Sequence, residues 1–196
     1  MNEAIRIIRD EHRSLAAVLS ALRELARLAT RPGVEPDFAA LRAMLYYIDA
    51  FPERMHHPKE DAHLFARLAA RAPHAQALVD ALRAEHETGA RMARELERTL
   101  LEFEQTGPRS AQRFAAAVDA YLEFHRRHMK REEEEVLPLA QQVLAAEDWA
   151  AIEAAFRGHE DPIAGMRESD FQALYQRIVA LVPAPIGVGA PWKKTP

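Results

Sequence analysis

Two residue pairs, His56 with Glu60 and His128 with Glu132, share the spacing His-x-x-x-Glu. On an α-helix that spacing is about one turn, so imidazole and carboxylate leave the same face. Two such helices facing each other bring together two nitrogens and two carboxylates, the donor set of a metal site. His12 and His86 lie on the apolar stripes of two other helical stretches. Arg9-Asp10-Glu11-His12 resembles Arg83-Ala84-Glu85-His86, 74 residues on, and His56/Glu60 precede His128/Glu132 by 72. Each half of the chain thus reads as a helix with a His followed by a helix with His-x-x-x-Glu. Two such hairpins packed together have pseudo-two-fold symmetry, and their equivalent side chains converge on its axis. The pattern suits two metal ions better than one.

The elements that must position these side chains are helices. Residues 2–30 carry Ile5, Ile8, Leu15, Val18, Leu19, Leu22 and Leu25 at helical spacing, with Asn2 placed to cap them. Residues 37–71 form a second helix marked by Leu41, Leu45, Ile48, Met55, Leu64 and Leu68. Pro52 and Pro58 oppose a regular helix there, so the expectation is one kinked helix, with two shorter helices broken near residue 52 as the alternative. A third helix spans about 74–106 and a fourth about 110–146, separated by Gly107-Pro108. Two short helices near 147–157 and 170–182 precede a Pro/Gly-rich tail. The fold class is all-α: an up-down-up-down four-helix bundle over residues 1–146, with residues 147–196 forming a helical extension and tail packed on it.

Composition narrows the function. There is no Cys, so disulfides, zinc–thiolate sites and iron–sulfur clusters are excluded, and any metal is held by His and carboxylates. A net charge of -4 with no basic patch argues against a nucleic-acid partner. No apolar run reaches membrane-spanning length, and the charged N-terminus lacks the core of a signal peptide, so the reading is cytoplasmic, with no membrane partner. The apolar content of the C-terminal helices (Trp149, Phe156, Phe171) would cover either the bundle or a second copy in a homodimer.

The phrases Glu11-His12, His56-His57-Pro58-Lys59-Glu60 and His128-Met129-Lys130-Arg131-Glu132-Glu133, followed by Val136-Leu137-Pro138, together resemble the haemerythrin-like (HHE) cation-binding domain over residues 1 to about 145. The resemblance implies a non-haem di-iron site, Fe2+/Fe3+ and oxo- or hydroxo-bridged. In it His12, His56, His86 and His128 ligate the irons and Glu60 and Glu132 bridge them. It also implies a protein that binds or reacts with dioxygen, peroxide or nitric oxide. A non-catalytic module that binds iron or reports iron or redox state is the alternative. The oxygen-carrying haemerythrins have a second His one turn after the third-helix ligand; that position here is Ala90, so matching positions supply four of the usual five nitrogens. The donor set also suits zinc or manganese.

Several neighbours of these residues have open assignments. Tyr121 and His125 precede His128 on the same helix face, and Asp49 and Glu53 precede His56 likewise. Tyr121 could donate a hydrogen bond to a bound oxygen species or supply an electron. His125 could be a substitute fifth ligand or an outer hydrogen-bonding group. His57 should point about 100° away from His56 on a regular helix, toward the surface or outside the ligand set. His63 is expected outside the ligand set, and His74 and His159 in solvated turns. Gly89, three residues after His86, is expected to leave room for a small ligand. The run Glu132 to Glu135 is expected to be a wet face beyond Glu132 itself.

Overall fold

The computed structural model describes residues 2–157 together with 176 and 178–180. Helix α1 spans Glu3–Ala29, and the Asn2 side chain caps it by accepting from the Ala4 N–H at 2.9 Å. Replacing Asn2 with Ala should cost about 1 kcal/mol and lower the melting temperature by about 2–4 °C in a calorimetric scan. Helix α2 begins after the Asp37 cap and runs on without a break. It comprises α-helical Phe38–Ile48, π-helical Asp49–His56, α-helical His57–Lys59, π-helical Glu60–Phe65 and α-helical Ala66–Arg71. Helix α3, Gln76–Thr106, follows a 3-10 turn at Pro73–Ala75. Helix α4 comprises Pro108–Arg131, a π segment Glu132–Val136 and Leu137–Val143. Helix α5 is Ala146–Arg157.

No strand occurs among the described residues, and the fold is the expected all-α bundle. Short connections join successive helices. α1 packs on α2 and α4, and α3 packs on α2 and α4, which closes the square. No helix of the described residues is long and apolar enough to cross a membrane. The second short helix near 170–182, the loop 158–162 with His159, and the tail fall almost wholly outside the described residues.

The two prolines of α2 do not break it. Pro lacks an N–H and its ring crowds the carbonyl four residues back. Here the ladder widens: the His57 N–H reaches the Pro52 carbonyl, five residues back. α4 does the same where Leu137 N–H reaches Glu132 O, just before Pro138. A widened turn holds more residues, so each residue turns through less than the 100° of a regular helix. Both widened stretches lie at the His-x-x-x-Glu pairs.

Two apolar clusters fill the bundle. One holds Leu15, Leu19, Leu22, Met55, Leu96, Phe114, Val118 and Tyr121, among others. The other holds Ile5, Ile8, Leu64, Phe65, Leu82, Val136 and Leu137, closed by Ile152 and Phe156 of α5. His12, His56 and His86 lie between them in sequence and His128 lies beside Met129 at their boundary, so a polar layer is enclosed between two apolar plugs. Such a layer has low dielectric and little water, which strengthens every charge interaction inside it.

Candidate metal centre

Each of the four long helices delivers at least one histidine to that layer, and α2 and α4 each add a glutamate. His12, His56, Glu60 and Glu132 bring one ligand atom apiece to within 4.8 Å of one another, and so do Glu60, His86, His128 and Glu132. The two groups share both glutamates. Glu60 lies with Oε1 3.2 Å from His56 Nε2 and Oε2 3.5 Å from His86 Nε2. Glu132 mirrors it, with Oε2 3.2 Å from His12 Nε2 and Oε1 3.4 Å from His128 Nε2. All six side chains are buried, the most accessible being His86 at 6 %. The four Nε2 atoms and all four carboxylate oxygens nonetheless lack hydrogen-bond partners. Buried polar atoms left so are costly, and in this number they fit cations held between them.

The outer nitrogens are fully accounted for. His56 Nδ1 meets Glu11 Oε2 at 2.7 Å, and His128 Nδ1 meets Glu85 Oε2 at 2.9 Å. His12 Nδ1 meets Glu133 Oε1 at 3.0 Å, and His86 Nδ1 meets Asp61 Oδ1 at 3.1 Å. A carboxylate accepting from Nδ1–H fixes the tautomer and leaves the Nε2 lone pair facing inward. The repeat explains the pairing. Glu11 and Glu85 directly precede His12 and His86, and each holds the histidine of the next helix in its own half. Asp61 and Glu133 directly follow Glu60 and Glu132, and each holds a histidine of the opposite half. Arginines back these carboxylates: Arg131 on Glu85, Arg83 on Asp61 at 3.7 Å and Arg9 on Glu133 at 4.0 Å. Changing Glu85 to Gln should weaken metal binding about 10–100-fold with the fold intact, as a chelator-competition titration would show.

Electrostatics agree with a cation site. Burial pushes the imidazoliums of His12 and His56 down, but the carboxylates around them prevail and raise them to about 9 and about 10. The same opposition at His86 ends at about 12, with Asp61, Glu132 and Glu60 prevailing over burial. Burial works against the Glu60 carboxylate, yet the surrounding imidazoles hold it well below its usual range; Glu132 likewise falls to about 2. Without metal, the layer gathers protons to balance its carboxylates.

The sequence expectations meet the structure unevenly. The six predicted inner residues converge. Tyr121 is fully buried, and its hydroxyl donates to Glu53 Oε1 at 2.9 Å, a carboxylate outside the converging groups. His125 is also fully buried, but it is outside the groups whose ligand atoms converge; its Nε2 lies 3.7 Å from Glu53. Of the two places expected for His57, at the surface or outside the ligand set, the surface is ruled out: it is 4 % exposed, and its ligand atom groups with those of His86 and His128. Its burial comes from α3 and α4, where its ring stacks on those of His86 and His125. Gly89 leaves no free room. A Cβ there would sit 3.1 Å from His125 Nε2 and 3.3 Å from Glu53 Oε1, so the glycine lets these two side chains lie against α3. His63 is half-buried outside the groups and His74 is exposed, as expected. Glu134 and Glu135 are exposed, but Glu133 is not simply wet: it holds His12.

A four-helix bundle whose inward imidazoles and shared carboxylates form a cluster able to hold metal is a cation-binding domain. Its sequence matches the hemerythrin HHE cation binding domain over residues 3–140, and the chain belongs to that family. No curated protein matches it.

Proposed function

We propose that this chain is a non-haem di-iron protein that binds or reacts with dioxygen, peroxide or nitric oxide. The observation that carries the reading is the double ligand group with shared glutamates: His12 and His56 on one side, His86 and His128 on the other, and Glu60 and Glu132 between them. Iron held there would supply an electrophilic, redox-active centre for a small oxidant or diatomic ligand. The chain's own residues do the rest. Two inner carboxylates and the outer Glu11, Asp61, Glu85 and Glu133 surround the four imidazoles with negative charge, part of it offset by Arg131, Arg83 and Arg9. The remaining negative charge holds a cation more strongly than a neutral nitrogen cage would. The apolar plugs on either side limit the access of water to the layer. Glu53, with Tyr121 donating to it and His125 beside it, places a polar group near the centre that can hold a proton; burial raises its carboxyl to about 7, against the Tyr121 hydrogen bond.

A non-catalytic iron-sensing module would use the same ligands. Enclosure of every inner side chain favours a fixed centre over a store that exchanges its metal. The test is the iron-loaded protein. About two irons per chain are expected, with visible absorption that changes on exposure to air, peroxide or nitric oxide. Uptake of less than about one iron, or a spectrum indifferent to all three reagents, would sink the proposal. Rapid peroxide consumption would separate an enzyme from a module.

A further inference from the structure

Away from the polar layer, the outer face shared by α2 and α3 keeps apolar surface that the bundle does not use. The C-terminal helix leaves none of this kind. In α5, Ile152 and Phe156 are fully buried in the core and Trp149 packs against it, so its apolar side chains cover the bundle itself. The large apolar side chains most open to solvent among the described residues are Leu101, 59 % exposed, and Tyr46, 49 % exposed. They stand together. Leu45 and Tyr46 of α2 and Leu100 and Leu101 of α3 line a groove of about 280 Å³ between the two helices. Arg42, Glu97 and Glu104 form its rim. An apolar floor inside a charged rim is the anatomy of a docking face.

The charges indicate what docks there. On α3, Arg94, Glu97, Leu101 and Glu104 follow at spacings of three, four and three, which makes them one stripe along the helix. Arg42 of α2 bonds Glu104. Arg94 and Glu97 are exposed and form no ion pair among the described residues. The two arginines and two glutamates cancel, so the face as a whole calls for neither a basic nor an acidic partner. Its ends are opposite in sign, with Arg94 at one and Glu104 at the other. A stripe of that kind matches itself turned end for end, which is the relation a two-fold axis imposes.

We propose that this face binds a second copy of the chain. The two α3 helices cross antiparallel about a two-fold axis at the level of Thr99, because positions 94 and 104 are equidistant from 99. Arg94 of each copy then stands opposite Glu104 of the other, and Leu101 of each copy seats in the other's groove. From 94 to 104 the helix rises about 15 Å. Such a contact is smaller than the roughly 800 Å² per partner of a standard interface, so the dimer dissociates on dilution. The proposal concerns the outside of the bundle and holds whichever cation the inner layer takes.

Sedimentation equilibrium of the full chain, from about 5 to about 500 µM, is the test. Wild type should pass from monomer to dimer over that range. Leu101→Glu, with its helices checked by circular dichroism, should remain monomeric. Arg94→Glu and Glu104→Arg each set like charges opposite one another twice, and each should raise the dissociation constant at least about tenfold. Mixed one to one, these two variants should form a heterodimer of about wild-type strength, since both contacts again join a cation to a carboxylate. Wild type that stays monomeric at every concentration overturns the proposal. Hydroxyl-radical labelling then says what replaces it: Tyr46 and Leu101 shielded means that another segment of the chain covers the face, and both labelled means that the face is unoccupied. A wild-type dimer that survives Leu101→Glu, or a mixture no tighter than its two components, puts the interface elsewhere and overturns the proposal as well.

Discussion

Glu60→Ala and Glu132→Ala are each expected to empty both ion positions together, with metal affinity falling more than about 100-fold. The reason is geometric. Glu60 reaches His56 with one oxygen and His86 with the other, and Glu132 reaches His12 and His128 in the same way. Neither carboxylate belongs to one side. Removing one takes away a charge that both cations share and leaves the surrounding imidazoles facing each other across a dry gap. His74→Ala, at an exposed position, should keep its metal. Elemental analysis after dialysis decides the matter: a glutamate variant that retains one ion at full occupancy would show that the carboxylates serve the two sides separately.

Stripping the metal should lower the melting temperature by about 10 °C or more, since a ligand at about a thousand times its dissociation constant contributes about 4 kcal/mol. The size follows from what the ions leave behind: four Nε2 atoms and four carboxylate oxygens, all buried and without hydrogen-bond partners. The metal-free protein should also have a narrow pH range. His12, His56 and His86 have folded values raised to about 9, 10 and 12 from 6.5, so their contribution is full below 6.5 and lost as pH rises through 9 to 12. Glu132 is lowered to about 2 from 4.5, so its contribution holds above 4.5 and is lost as pH falls through 2. His125 is pushed down to about 3 by burial and by the neighbouring His128 and His86, so its share fades as pH falls from 6.5 toward 3. The metal-free melting temperature should therefore peak near pH 6.5 and fall on either side. Metal uptake at neutral pH should expel protons from the three raised histidines and tighten as pH rises toward 9. Calorimetry in buffers of different ionisation enthalpy measures the protons; equal melting temperatures with and without metal would contradict the account.

The four long helices were legible because each has an apolar stripe of helical period, and the inner ligands because they sit on those stripes twice over. What sequence reading missed has specific causes. His57 was left open between the surface and a place outside the ligand set because an angle of about 100° from His56 does not say which neighbouring helix covers it. Pro52 and Pro58 were the available signal that the turn is not regular, and they were read as a kink rather than as a change of pitch. The four outer carboxylates were missed although each adjoins an inner ligand in the sequence. Two of them, Glu11 and Glu85, lie within the repeated phrases themselves. Nothing local identifies them, because Glu133 and Asp61 serve histidines on distant helices. Gly89 was read as empty space, whereas its role is close approach: only coordinates show which side chains arrive from α2 and α4 to use it.

The reciprocal braces between the halves bear on how the protein matures. Asp61 steadies a histidine that emerges later from the ribosome, and His12 waits for Glu133, more than a hundred residues downstream. Neither hairpin owns a finished cage. Cation capture must follow the docking of the two hairpins, so a chain stalled before its last long helix has no complete place to put a cation.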